Sequence, residues 1–141
     1  MKRVLIVEDN GLIYNAIKEE LGNDFETIRA SNYAAAKGRW KRENEAFDCI
    51  VLDLHINPLG LDLKETDKYD PLYGMAVLDA FREEKSEEEK MKIDKKTIIY
   101  SGYSEFLRNM NFDIKNIEII AKSGESIQKV IKQIKSICSR S

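Results

Sequence analysis

Five polar side chains each follow directly on a short apolar run, and their types suit them to act together. Glu8 and Asp9 follow Val4-Leu5-Ile6-Val7, Asp53 follows Cys49-Ile50-Val51-Leu52, Ser101 follows Ile98-Ile99-Tyr100, and Lys122 follows Ile117 to Ala121. Carboxylates gathered at one place repel one another, and the repulsion either raises their pKa values or is relieved by a bound cation. A hard divalent ion is the natural relief: Mg²⁺ (or Mn²⁺) needs only one or two carboxylates and completes its shell with waters and phosphate oxygens. In such a site Asp9 and Asp53 are direct ligands, and Glu8 acts directly or through water. Asp53 is then also a competent nucleophile toward phosphorus, with Lys122 neutralising the charge that builds on the phosphoryl oxygens and Ser101 adding a hydrogen bond. A phosphoryl group on Asp53 would bring charge and acceptor oxygens that Ser101 and Lys122 can follow, turning chemistry into a change of surface.

Taken singly, each residue has a plainer reading. An Asp after a strand is commonly a turn or a helix cap, Glu8-Asp9 favours a helix N-terminus, Ser101 caps, and Lys122 is solvated. The reading rests on all five standing at the ends of successive strands. In an open parallel sheet, ligands bind outside those carboxyl ends.

The elements that must position them are legible as alternating apolar runs and helical periods, the signature of β-α units and a covered parallel sheet. Val4–Val7 is the first strand. Asn10 caps a helix through Leu21 whose apolar side is Ile13, Ala16, Ile17 and Leu21, with Gly22 just past its end. Phe25 to Ala30 is the second strand, and Ser31 is expected to cap a helix through about Glu43. Cys49–Leu52, Ile98–Tyr100 and Ile117–Ala121 supply the third, fourth and fifth strands. A fourth helix is expected around Ser104 to Met110. Ile127, Val130, Ile131, Ile134 and Ile137 mark one face of the last helix. Arg82 to Lys96, dense in charges of both signs, reads as the end of a helix plus a solvated connection. The expected architecture is a single α/β domain over 1–141, with a five-stranded parallel sheet and five helices covering both faces.

One stretch breaks the rhythm. His55 to Tyr73 holds Pro58, Gly60 and Pro71 without sustained period, a connection of roughly 18 residues where about 2–6 is usual. Leu59, Leu61, Leu63, Tyr69, Leu72 and Tyr73 are too apolar for a floppy linker, so an ordered flap over the edge of the site is expected.

Composition narrows the partners. The 141 residues carry 25 acidic and 23 basic side chains, a net charge of -2, and the basic residues are dispersed, which disfavours direct contact with nucleic acid. No apolar stretch approaches the roughly 20 residues that span a bilayer, and the apolar run after Met1-Lys2-Arg3 is too short for a signal-peptide core. Cys49 and Cys138 stand apart, without CxxC spacing, as in a reduced protein. The expected setting is cytoplasmic, away from membranes.

Val4-Leu5-Ile6-Val7-Glu8-Asp9-Asn10, Ile50-Val51-Leu52-Asp53-Leu54 and Ile98-Ile99-Tyr100-Ser101-Gly102-Tyr103, closed by Lys122, resemble the receiver domain of two-component response regulators over nearly the whole chain. The resemblance implies the flavodoxin-like receiver fold. It implies Asp53 as phosphoacceptor, Glu8 and Asp9 as the acidic pair for Mg²⁺, Ser101 as switch hydroxyl and Lys122 as phosphate-binding lysine. The backbone carbonyl of His55 matches the family's third protein metal ligand. It implies a sensor histidine kinase or phosphotransfer protein as phosphoryl donor, a downstream protein as listener, and a signalling role in which the chain acts catalytically only on its own phosphorylation and dephosphorylation. A helical face that pairs with itself would make a homodimer. Gly102 fits a position where bulk would hinder access to the phosphoryl group.

The chain also departs from the pattern. Tyr73-Gly74-Met75 resembles the point where the family's third helix starts, so the extra residues form a long insertion after strand 3, at about 57–72. Ile119 stands where the family has an aromatic that swings with the hydroxyl residue, and Tyr100 or Tyr103 is the candidate substitute. Ser123 replaces the Pro that tends to follow the lysine in a cis bond. A non-proline cis bond costs about 2.5–4 kcal/mol, so a trans bond or a strained loop is expected. His55 and Tyr103 occupy the two positions that modulate loss of the phosphoryl group in the family.

Three other readings fit parts of the sequence. A haloacid-dehalogenase-like phosphatase shares the strand-end Asp nucleophile and Mg²⁺, but needs a second Asp where His55 stands. A pseudo-receiver, binding protein partners without phosphorylation, accommodates Ile119, Ser123 and the insertion. A flavodoxin-like cofactor binder conflicts with Glu8-Asp9, which would repel phosphate.

Overall fold

The computed structural model describes residues 1–43 and 45–140, with residue 108 described by its backbone alone. The single unit expected over 1–141 includes Asn44 and Ser141, which lie outside the described residues. The five strands are β1 (Lys2–Val7), β2 (Phe25–Ala30), β3 (Cys49–Leu52), β4 (Thr97–Ser101) and β5 (Glu118–Ala121). They form one parallel sheet in the order β2-β1-β3-β4-β5. The helices are α1 (Gly11–Leu21), α2 (Tyr33–Arg42), α3 (Leu63–Tyr69), α4 (Tyr73–Arg82), α5 (Glu87–Lys95) and α6 (Ser126–Ser139).

Alternation along β1 decides the layering. Leu5 and Val7 enter one apolar cluster, Val4 and Ile6 the other, and all four are fully buried. A strand buried on both faces needs helices on both sides. The first cluster closes under α2 and α4 through Ala36, Trp40, Met75 and Phe81, with the Trp40 and Phe81 rings stacked at 4.3 Å. The second closes under α1 and α6 through Ile17, Leu21, Val130, Ile131 and Ile134. Cys49 and Cys138, which look isolated in the sequence, are both buried in this second cluster.

Several elements differ from the sequence expectation. The N-cap of α2 is Asn32, not Ser31, because the Asn32 side chain reaches the N–H of Ala35 at 2.8 Å. The charged stretch 82–96 contains a true helix, α5, begun by a capping box in which Ser86 and Glu89 satisfy each other's backbone. The fourth helix expected at Ser104 to Met110 is a 3-10 helix over Ser104–Asn109.

The long connection between β3 and α4 holds the short helix α3, capped by Asp62. It does not fold over the site as a flap. Its early part binds the start of α2, where Tyr33 N–H donates to the carbonyl of Asn57 and Ala34 N–H to that of Leu59. Tyr69 is buried and donates its hydroxyl to Asp79 of α4. Leu61, Tyr69 and Leu72 therefore pack on the α2–α4 flank, whereas Leu59 and Leu63 are exposed. No helix among the described residues is long and apolar enough to cross a membrane.

Candidate functional site

In the order β2-β1-β3 the chain reverses its direction of sheet growth at β1, which opens a crevice at the carboxyl ends of β1 and β3. Glu8 and Asp9 leave β1 on one side of it and Asp53 leaves β3 on the other. Parallel register holds them level: Val7 pairs with Leu52, and Asp53 N–H donates to the carbonyl of Val7 at 3.0 Å.

The three carboxylates present oxygens that all lie within 4.8 Å of one another. Glu8 and Asp53 are buried, whereas Asp9 is exposed. Lys122, arriving from β5, places Nζ 2.9 Å from Glu8 Oε1 and 3.1 Å from Asp53 Oδ2. Asn10 N–H donates to Glu8 Oε2 at 3.2 Å, and His55 N–H donates to Asp53 Oδ1 at 3.2 Å. Burial, with the charge of Asp53 next, raises the Glu8 carboxyl to about 7 against the lowering pull of Lys122 and the Asn10 N–H. Burial works against the charge on Lys122, but Glu8 and Asp53 outweigh it and raise its pKa. The donor set is therefore hard, oxygen-only and over-negative, and it fits a small divalent cation.

Ser101 is fully buried at the same edge, and its hydroxyl accepts the N–H of Tyr103 at 3.1 Å. Its carbonyl accepts the N–H of Lys122, so β4 and β5 deliver the two residues side by side. The His55 imidazole stacks on Tyr103 at 4.7 Å, and Tyr103 in turn tilts against Phe106. Gly102 is exposed, and a Cβ there would meet nothing within 4 Å.

The peptide bond after Lys122 is trans, and the turn is secured by Ser126, whose Oγ accepts the Ser123 N–H at 2.8 Å. Tyr100 faces away from Tyr103, into the α1–α6 cluster, where its hydroxyl shares a 2.8 Å hydrogen bond with Ser126. Ile119 is 37% exposed on the edge strand. Sequence reading missed Arg29, whose guanidinium donates to the main-chain carbonyls of Glu8 and Asp9. Its signal was available: a charged residue at the carboxyl end of the second strand, on the same edge as the other five.

No family model matches the sequence, and neither does any curated protein. Solved structures do resemble it. The non-phosphorylated HemR receiver domain of Leptospira biflexa is 21% identical with a TM-score of 0.63, covering 99% of this chain and 95% of its own. The response regulator TrrA of Thermotoga maritima, in complex with Mg²⁺ and BeF, is 22% identical with a TM-score of 0.65 over 97% of this chain and 99% of its own. A CheY-like receiver domain protein of Methanospirillum hungatei is 23% identical with a TM-score of 0.62 over 99% and 95%. From end to end, this chain has the fold of response-regulator receiver domains.

Proposed function

We propose that the protein is a phosphoacceptor receiver, in which Asp53 takes a phosphoryl group and the change of charge at the sheet edge resets a protein-binding surface. The observation that carries this reading is the contact of Lys122 Nζ with Asp53 Oδ2 at 3.1 Å, beside an acidic pair close enough to share a cation with Asp53. Glu8, Asp9, Asp53 and the backbone carbonyl of His55 would hold Mg²⁺ or Mn²⁺. When bound, the cation supplies positive charge against the repulsion between an anionic nucleophile and an anionic phosphoryl group.

An Asp53 carboxylate oxygen forms the new O–P bond as the bond from phosphorus to the donor's nitrogen or oxygen breaks. The electron pair leaves with the donor, which takes up its proton from solvent. Lys122 keeps its proton throughout and follows the new phosphoryl oxygens. Ser101 can turn its hydroxyl toward them, giving up the Tyr103 N–H. The donor is a histidine kinase or phosphotransfer protein, the listener is another protein, and a cytoplasmic setting follows from such partners.

Incubating the chain with Mg²⁺ and acetyl phosphate, then measuring intact mass, tests the reading. One labile phosphoryl adduct, absent from Asp53→Asn, supports it. Rapid multiple turnover of phosphate esters would mark a phosphatase instead, and an unmodified chain would mark a pseudo-receiver.

A further inference from the structure

Arg29 stands one residue before the end of β2, paired in register with Ile6 of β1. Its guanidinium forks across two carbonyls: Nε donates to Glu8 O at 3.1 Å and Nη2 to Asp9 O at 2.8 Å. The same group lies 5.7 Å over the Tyr14 ring, and Nη1 is 3.5 Å from where a Cβ on Gly11 would stand. The last rung between β1 and β2 is Glu8 N–H to the carbonyl of Ala30 at 3.0 Å. Beyond that rung the chain leaves the sheet, and the bond from Arg29 to Asp9 ties it back to β2.

A cation beside a cluster of carboxylates would ordinarily pair with them. Here it bonds the main chain, so the carboxylate of Asp9 stays exposed and available. We propose that Arg29 is a positioning residue that fixes the backbone of Glu8 and Asp9 at the spacing a divalent cation needs opposite Asp53. The idea rests on the metal-assisted reading above and adds to it a residue outside the acidic cluster.

Charge and geometry predict opposite signs. Deleting a positive charge near a cation site strengthens cation binding by relieving repulsion. Loosening a group that orients ligands weakens it, typically by about 10–100-fold. Electron paramagnetic resonance of free Mn²⁺, titrated with the full chain, reads the sign directly and needs no phosphoryl transfer.

Arg29→Met is expected to weaken Mn²⁺ binding about tenfold. Arg29→Lys keeps the charge but cannot span two carbonyls with a planar fork, and it is expected to bind more weakly than wild type. In metal-free protein, amide hydrogen exchange at Asn10 should speed up in Arg29→Met. Equal or tighter Mn²⁺ binding by Arg29→Met, or full recovery by Arg29→Lys, overturns the proposal while leaving the metal site intact. A wild-type chain that takes up no Mn²⁺ overturns the underlying reading instead, so the two failures are distinguishable.

Discussion

The backbone of Gly74 lies against the backbone of Asp53: a Cβ on residue 74 would come within 2.2 Å of the Asp53 carbonyl oxygen and 2.8 Å of Leu54 Cα. Gly74 N–H donates to the carbonyl of Leu54 at 2.8 Å, so the first turn of α4 rests directly on the chain leaving β3. The atoms in the way are main chain, which cannot swing aside. Gly74→Ala is expected to push α4 away from the site and to cost about 1–3 kcal/mol, measured by urea unfolding. Divalent cation affinity should fall in parallel, because Asp53 moves with the backbone that is displaced.

Glu8 gives the metal-free protein a stability that declines with pH. The carboxyl ionises near 4.5 in the unfolded chain and near 7 when folded, chiefly because burial and then Asp53 disfavour its charge. Between those values the folded state holds a proton that the unfolded state has lost, so stability falls as pH rises. This contribution is fully present below about pH 4.5 and gone above about pH 7. Glu8→Gln mimics the protonated carboxyl and therefore keeps that stability at every pH. In the presence of chelator the variant should exceed wild type at pH 8 by on the order of 1–3 kcal/mol and approach it as the pH falls below about 4.5, with urea midpoints as the readout.

Lys122 has a structural and a chemical role that point in different directions. It neutralises two buried carboxylates, so in chelator Lys122→Met should lose about 1–3 kcal/mol, less than a fully buried pair because the side chain is 21% exposed. Removing it also frees Glu8 and Asp53 for a cation, and Mn²⁺ should bind at least as tightly as in wild type. Formation of the Asp53 adduct from acetyl phosphate should nevertheless slow by about 10²-fold, because the charge that follows the transferring phosphoryl oxygens is gone. Tight cation binding together with slow adduct formation, measured on the same sample, is the expected pair of results.

The strand ends were legible because a parallel strand buried on both faces is a continuous apolar run, and the first polar residue after it marks the sheet edge. That is why Glu8, Asp9, Asp53 and Ser101 could be gathered from distant stretches; Lys122 follows the edge strand β5, where only Ile120 is buried, and its signal was the short run Ile119-Ile120-Ala121 before it. Arg29 escaped because β2 alternates and its last residues are not a uniform apolar run: Ile28 and Ala30 are buried while Arg29 between them is exposed. The short helix α3 was hidden by Pro71 and Gly60 at its flanks, although Asp62 is an ordinary N-cap. α5 was hidden by its charges, since only Ile93 and Asp94 are buried and no apolar period forms. Its signal lay in Ser86 and Glu89 instead, at the spacing of a capping box.

The buried Asp94 explains what holds so polar a helix in place. Arg82, in the last turn of α4, donates to both of its carboxylate oxygens, at 2.9 and 2.6 Å, and to the carbonyl of Asp113 at 2.8 Å. Both partners are largely withdrawn from water, with side chains 12% and 8% exposed. One guanidinium therefore joins α4, α5 and the segment leading into β5. Asp94→Leu leaves that guanidinium without its carboxylate, a loss expected to cost about 3 kcal/mol, whereas adding Arg82→Met to it should recover much of the loss by replacing charge with apolar contact. A double-mutant cycle followed by urea unfolding separates the two cases: additive losses would mean that the ion pair contributes little and that α5 is held by Ile93 alone.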